Sequence, residues 1–139
     1  MESNVLYPLP FFPIYKDKIW GGDKVKTILN KDFSPLKNCG EMWLLSGCEN
    51  DVSLVSDGPL AENDLNELLE IFFDDLIGDN RFDDKNVKFP LLVKVIDSQS
   101  WLSIQVHPDD AMAKSLGYDN GKSEMWYILD AEPGAKIIA

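Results

Sequence analysis

The chain has 139 residues, 45% of them hydrophobic and 11% aromatic, with a formal net charge of −11. Length and composition predict one folded domain, or part of one, with a sizeable core, and they speak against disorder. The acidity speaks against nucleic acid and anionic membranes as partners, because both recruit basic footprints, and no apolar run approaches the roughly 20 residues of a membrane helix.

In chain order, Met1-Glu2-Ser3-Asn4 lacks the basic and apolar regions of a secretory signal. Residues 5–22, rich in Pro and aromatics and ending in Ile19-Trp20-Gly21-Gly22, read as an extended entry segment with a turn. Cys39 and Cys48 are sparse and follow no export signal, so they are expected as reduced thiols of a cytoplasmic protein. Residues 41–56 read as a hairpin, with Met42–Leu45 and Val52–Val55 flanking the turn-prone Glu49-Asn50-Asp51. Gly58-Pro59 then breaks the strand. Residues 64–77 carry the clearest helix pattern. Asp64 and Glu67 have capping-box spacing, Leu65, Leu68, Leu69, Phe72 and Leu76 share a face, and Gly78 ends the run. That face is wholly apolar, which predicts a helix covering the core. Residues 79–88 read as a charged loop.

From Phe89 onward the pattern is β. Leu91–Ile96 is a strand, Asp97–Ser100 a turn, and Trp101–His107 a second strand stopped by Pro108. Asp109–Leu116 reads as a short helix closed by Gly117, and Asp119-Asn120-Gly121 as a turn. Glu124–Leu129 and Ala135–Ala139 read as further strands separated by Glu132-Pro133-Gly134. The fold class expected is mainly β, a sandwich or barrel. The last strand stops without a cap, so residues 1–139 are expected to be a single N-terminal portion of a longer domain, ending in mid-strand.

Strand side chains alternate faces. Trp101, Ser103, Gln105 and His107 then share one face, while Leu102, Ile104 and Val106 share the other and are expected to pack. His107 is the only histidine. Residues two apart on a strand are roughly 6.5 Å apart, and side chains reaching from that spacing converge on one ion at bond lengths of roughly 2.1 Å. Gln105 and His107 can thus clamp a metal, and Glu124, on the next strand with Lys122 and Trp126, can add a carboxylate oxygen. Three N/O ligands with an open position suit zinc or another divalent first-row metal. Spacing alone leaves a second option open, a polar cluster satisfied without metal. Gln is an uncommon zinc ligand, and the cysteines form no CxxC pattern.

Three segments, Phe89–Ile96, Leu102–Asp110 and Gly121–Ile128, resemble type I mannose-6-phosphate isomerases. Ile19–Gly22, Gly40–Trp43 and Val52–Leu60 fit the same resemblance in order. The most specific part is Ser-x-Gln-x-His-Pro-x-Asp, residues 103–110, followed by Lys-x-Glu, residues 122–124. The resemblance implies a cupin-type β-barrel or jelly roll, with the 64–77 helix covering it, and one zinc ion per chain. Gln105, His107 and Glu124 would be metal ligands, Ser103 would bind the substrate phosphate, and Lys122 would be catalytic and substrate-binding. Trp20 would be structural or site-lining and is read as structural, while Lys94, by its place in an apolar strand, is read as a strand lysine facing water and left out of the site.

Two departures stand out. Some members carry a histidine, implicated in ring opening, where this chain has Gly121. The fourth zinc ligand, a later histidine, and the catalytic arginine would lie beyond Ala139. The activity implied is interconversion of mannose 6-phosphate and fructose 6-phosphate by proton transfer between C2 and C1 through an enediol. The substrate is a small phosphosugar, with no nucleic acid or membrane partner, and the 139 residues alone are expected to be a poor catalyst. The alternative is a non-catalytic metal- or sugar-binding cupin module. A non-haem iron oxygenase is disfavoured because its site uses two histidines.

Overall fold

The computed structural model describes residues 6–78 and 89–138. Residues 1–5, the charged loop expected over 79–88, and Ala139 lie outside the described residues. The chain divides into two compact units, Met1–Leu102 and Ser103–Ala139.

In the first unit the order is β1 (Ile14–Lys16), α1 (Lys24–Thr27), β2 (Glu41–Cys48), β3 (Asp51–Val52), α2 (Leu65–Ile71), α3 (Phe73–Ile77) and β4 (Leu92–Ile96). The spine is β2. Its Met42 lies opposite Tyr15 of β1 and also opposite Val95 of β4, so those strands flank it on its two edges, both antiparallel. The register against β4 shifts between Trp43 and Leu45, a bulge that leaves Leu44 exposed between them. A tight turn then brings β3 back, with Gly47 opposite Val52. The expected hairpin therefore forms, but its second arm is laddered only over Asp51–Val52. Leu54 and Val55 instead make single bridges to Asp64 and Phe11. The entry segment is tied in the same way, Gly21 to Ser98 and Gly22 to Cys39.

Two apolar clusters hold this unit. Val25, Phe33, Cys39 and Met42 form one, with Tyr15, Leu36 and Val95 packed against it. Val55, Leu60 and Leu68 form the other, joined by Leu6, Tyr7, Leu9, Phe11, Phe72 and Leu76. The sequence periodicity delivers Leu65, Leu68 and Leu69 to the interior as expected. At the start of α2 the capping box is complete. Asp64 Oδ1 accepts from Glu67 N–H at 2.8 Å, and Glu67 Oε2 accepts from Asp64 N–H at 3.0 Å. The helix expected over 64–77 is broken, however. Phe72 leaves helical geometry at φ −120° and ψ 34°, separating α2 from α3. Adjacent side chains on an ideal helix point about 100° apart. Phe72 packs with the second cluster and Phe73 is buried, so the break lets both rings turn inward. Both cysteines are free thiols, Cys39 buried and Cys48 exposed.

The second unit contains α4 (Asp110–Ser115), N-capped by Asp109, whose Oδ1 accepts from Met112 N–H at 2.8 Å. The strands expected over 101–107, 124–129 and 135–139 do not form ladders among the described residues. Ile104 and Val106, expected to pack, are 95% and 91% exposed. A strand exists through its neighbour's hydrogen bonds, and among the described residues none pairs with these runs. The mainly β class holds through the four-stranded sheet, which does not close. No described helix is long and apolar enough to cross a membrane.

Candidate functional site

Within the second unit the chain returns on itself through α4 and the turn that follows, so residues 107–110 lie against residues 121–124. Three site candidates from the sequence meet there. His107 Nε2 lies 3.4 Å from Glu124 Oε1, and Lys122 Nζ donates to the same oxygen at 3.0 Å. The imidazole and the carboxylate are partly buried, with side chains 24% and 32% exposed, while Lys122 is open at 47%. The other carboxylate oxygen, Oε2, accepts from Trp126 Nε1–H at 3.4 Å. These contacts act on the carboxyl. The hydrogen bond from Lys122 holds Glu124 below the usual carboxylate range, burial opposes it, and Trp126 and the Lys122 and His107 charges add to the lowering.

Ser103 and Gln105 stand apart from that meeting point. Gln105 Nε2 donates to Ser103 Oγ at 2.9 Å, and both residues are exposed. Two strand-mates expected on one face do share a contact, but it is with each other. Among the described residues no group of three His, Cys, Asp or Glu side chains gathers as a metal cage. The donor set at His107 nevertheless fits a cation edge. Two ligands with bonds of about 2.1 Å to a tetrahedral ion lie about 3.4 Å apart, the separation of His107 Nε2 and Glu124 Oε1. An amide oxygen such as that of Gln105 is a chemically compatible third donor.

Gly121 lies against the backbone that follows His107. A methyl group there would sit 2.6 Å from Asp109 C and Pro108 O, so the backbone leaves no room for a side chain.

The first unit holds a charged cluster that sequence reasoning missed. Lys94, read as a strand lysine facing water, instead reaches Glu41 Oε1 at 3.1 Å. Glu41 is 8% exposed, and its Oε2 accepts from Trp43 Nε1–H at 2.7 Å. Lys16 lies 4.9 Å from the centre of the Trp43 ring and pairs with Asp51. Burial pushes the Glu41 carboxyl up, but the hydrogen bonds from Trp43 and Lys94, with the charges of Lys94 and Lys18, hold it below the usual range. The signal was present: Lys94 is the single charge in Leu91–Ile96 and Glu41 the single charge in Gly40–Leu45. An open cleft of about 470 Å³ beside the β2–β3 turn, lined by residues 47–51 and 89–92, holds none of the predicted site residues.

The chain is sheet-built, and His107 and Lys122 meet at one carboxylate oxygen of Glu124. Comparison with known proteins is more specific. Residues 9–134 match the catalytic domain of phosphomannose isomerase type I, and the chain belongs to that family. It is 40% identical over 121 residues to a mannose-6-phosphate isomerase of Streptococcus mutans, covering 87% of this chain and 36% of that protein. It is 39% identical over 137 residues to a probable mannose-6-phosphate isomerase of Bacillus subtilis, covering 95% of this chain and 40% of the other. The chain thus spans well under half the length of these relatives. A crystal structure of the mannose 6-phosphate isomerase from Bacillus subtilis superposes on 90% of this chain and 38% of its own, with a TM-score of 0.78 at 35% identity.

Proposed function

We propose that this chain supplies part of the active site of an isomerase interconverting mannose 6-phosphate and fructose 6-phosphate in the cytoplasm. On the same proposal, residues 1–139 are the N-terminal portion of one cupin-type catalytic domain. The observation that carries it is the meeting of His107, Lys122 and Glu124 on one carboxylate oxygen, in a chain of this family.

Gln105, His107 and Glu124 would hold a single zinc ion, or another divalent metal in its place. The 3.4 Å imidazole–carboxylate edge supports that role for His107 and Glu124. Gln105 would use its amide oxygen, leaving Nε2 for the hydrogen bond to Ser103. When bound, the metal supplies Lewis acidity that stabilises negative charge developing on sugar oxygens. The remaining work falls to side chains. Lys122 Nζ, which hydrogen-bonds Glu124, would give up its own proton to solvent, take the C2 proton as the neutral amine and return it to C1 of the enediol, a contribution worth roughly 10²–10⁴ in rate. Ser103 Oγ binds the phosphate, which is remote from the reacting carbons and serves as a binding handle. In a chain of net charge −11, that handle needs further cations. The 139 residues alone, with three of the ligands, are a weak metal binder and a poor catalyst.

The test is His107→Ala in the full-length protein, followed by metal analysis and an isomerase assay. Loss of both stoichiometric zinc and turnover is expected. Retention of zinc overturns the ligand assignment. Turnover by the 139-residue chain at the full-length level overturns the claim about the piece.

A further inference from the structure

The two arms that carry His107 and Glu124 need something to set their separation, and the residues just after His107 provide it. Asp109 and Asp110 are neighbours with different tasks. Asp109 caps α4 through Met112 N–H. Asp110 turns away from its own helix, and its Oδ1 accepts from Gly121 N–H at 2.9 Å. The next amide, that of Lys122, donates to Pro108 O at 3.1 Å. Two successive amides of the second arm are therefore bonded to residues immediately following His107. The approach is close enough to demand glycine. A β-carbon at Gly121 would lie 2.6 Å from Asp109 C and Pro108 O and 2.7 Å from Asp110 N. All three are backbone atoms, which cannot swing aside as a side-chain tip can.

We propose that Asp110 and Gly121 are positioning residues, a clasp that fixes the distance between the His107 arm and the Lys122–Glu124 arm. The consequence for metal binding rests on the function proposed above, whereas the consequence for geometry does not. Lys122 is itself a clasp donor, and Glu124 follows two residues later. A slip at Gly121 is therefore transmitted directly to the His107–Glu124 edge. Outer contacts that orient metal ligands commonly change metal affinity by roughly 10–100-fold when removed.

The experiment compares four variants of the full-length protein, all checked for folding by circular dichroism. Asp110→Ala removes the acceptor, Asp110→Asn keeps a side-chain oxygen, Gly121→Ala inserts the methyl group, and Asp109→Ala removes only the helix cap. Zinc affinity is measured by competition with a chelator, and the His107–Glu124 contact by the nuclear Overhauser effect between the two side chains in metal-free protein. Asp110→Ala and Gly121→Ala are expected to weaken zinc at least about 10-fold and to lose the side-chain contact. Asp110→Asn should stay within about 3-fold of the parent, because the acceptor is retained. Asp109→Ala should keep both readouts. Parent-like contact and affinity in folded Asp110→Ala overturn the clasp, as does an equal loss in Asp109→Ala, which would assign the effect to helix integrity. If the parent binds no zinc, the metal assignment fails, and the side-chain contact alone decides the clasp.

Discussion

Replacing Lys94 by Met tests the charged cluster of the sheet in a way that separates electrostatics from packing. Met keeps most of the aliphatic stem and removes the ammonium, so Glu41 remains buried with Trp43 as its hydrogen-bond partner. Breaking a fully buried pair from one side costs about 3–5 kcal/mol, chiefly through the charge left behind. Here the side chains of Lys94 and Glu41 are 23% and 11% exposed, so water screens part of the loss. A cost of about 2–3 kcal/mol at pH 7 follows. Adding Glu41→Gln removes the stranded charge, and the double variant should recover about 1–2 kcal/mol of that loss.

Acidification supplies the sign test. In the parent the Glu41 carboxyl is held below its ordinary range. Its contribution is therefore full above the unfolded carboxyl pKa of about 4.3 and is lost as pH falls through the lower folded value. In Lys94→Met the hydrogen bond and the charge of Lys94 no longer lower the carboxyl, so its pKa moves upward and protonation costs the variant less than it costs the parent. Urea unfolding followed by circular dichroism should show the stability gap narrowing as pH falls from about 5 to below about 4. A gap that stays constant over that range, or a double variant no more stable than Lys94→Met, refutes the account.

Two further substitutions test local devices. Asp64→Ala removes the acceptor for Glu67 N–H and should lower stability by about 1 kcal/mol; unchanged protection of the Glu67 amide against hydrogen exchange would contradict it. Gly22→Ala would place a methyl group 2.5 Å from Asp97 Oδ1 and 2.6 Å from Oδ2. Asp97 is 6% exposed, and its Oδ2 accepts from Lys24 N–H at 2.6 Å. The carboxylate must leave that hydrogen bond to make room, costing about 1–3 kcal/mol; an unfolding midpoint equal to the parent's would show that the loop opens freely.

What could be read from the sequence divides by the range of the interaction. The capping box and the leucine face at 64–69 are settled within one helical turn, and both appear in the structure. The hairpin turn at 49–50 is similarly local. The break at Phe72 escaped because the ring packs against the cluster around Val55 and Leu60, a tertiary demand that periodicity does not carry. Lys94 escaped because its partner lies 53 residues earlier. A charge in an apolar strand says that a partner is needed, but not where it is.

The candidate site shows how residues can be brought together for a reason other than the one that nominated them. Strand alternation put Gln105 and His107 together and asked Glu124 to arrive from a neighbouring strand. In the structure neither run is laddered among the described residues, and Gln105 turns to Ser103. His107 and Glu124 still come within 3.4 Å. A sheet register cannot be the cause, so the cause must lie in the chain between them. Pro108 ends the extended run, Asp109 starts a helix, and Asp110 and Pro108 receive the two amides of Gly121 and Lys122 on the way back. The run from His107 to Asp110 thus places a candidate ligand and a fold-back instruction in consecutive residues. That is why Asp110, unremarkable as a helix-start acid, reaches across to the second arm, and why a side chain at position 121 is incompatible with this backbone.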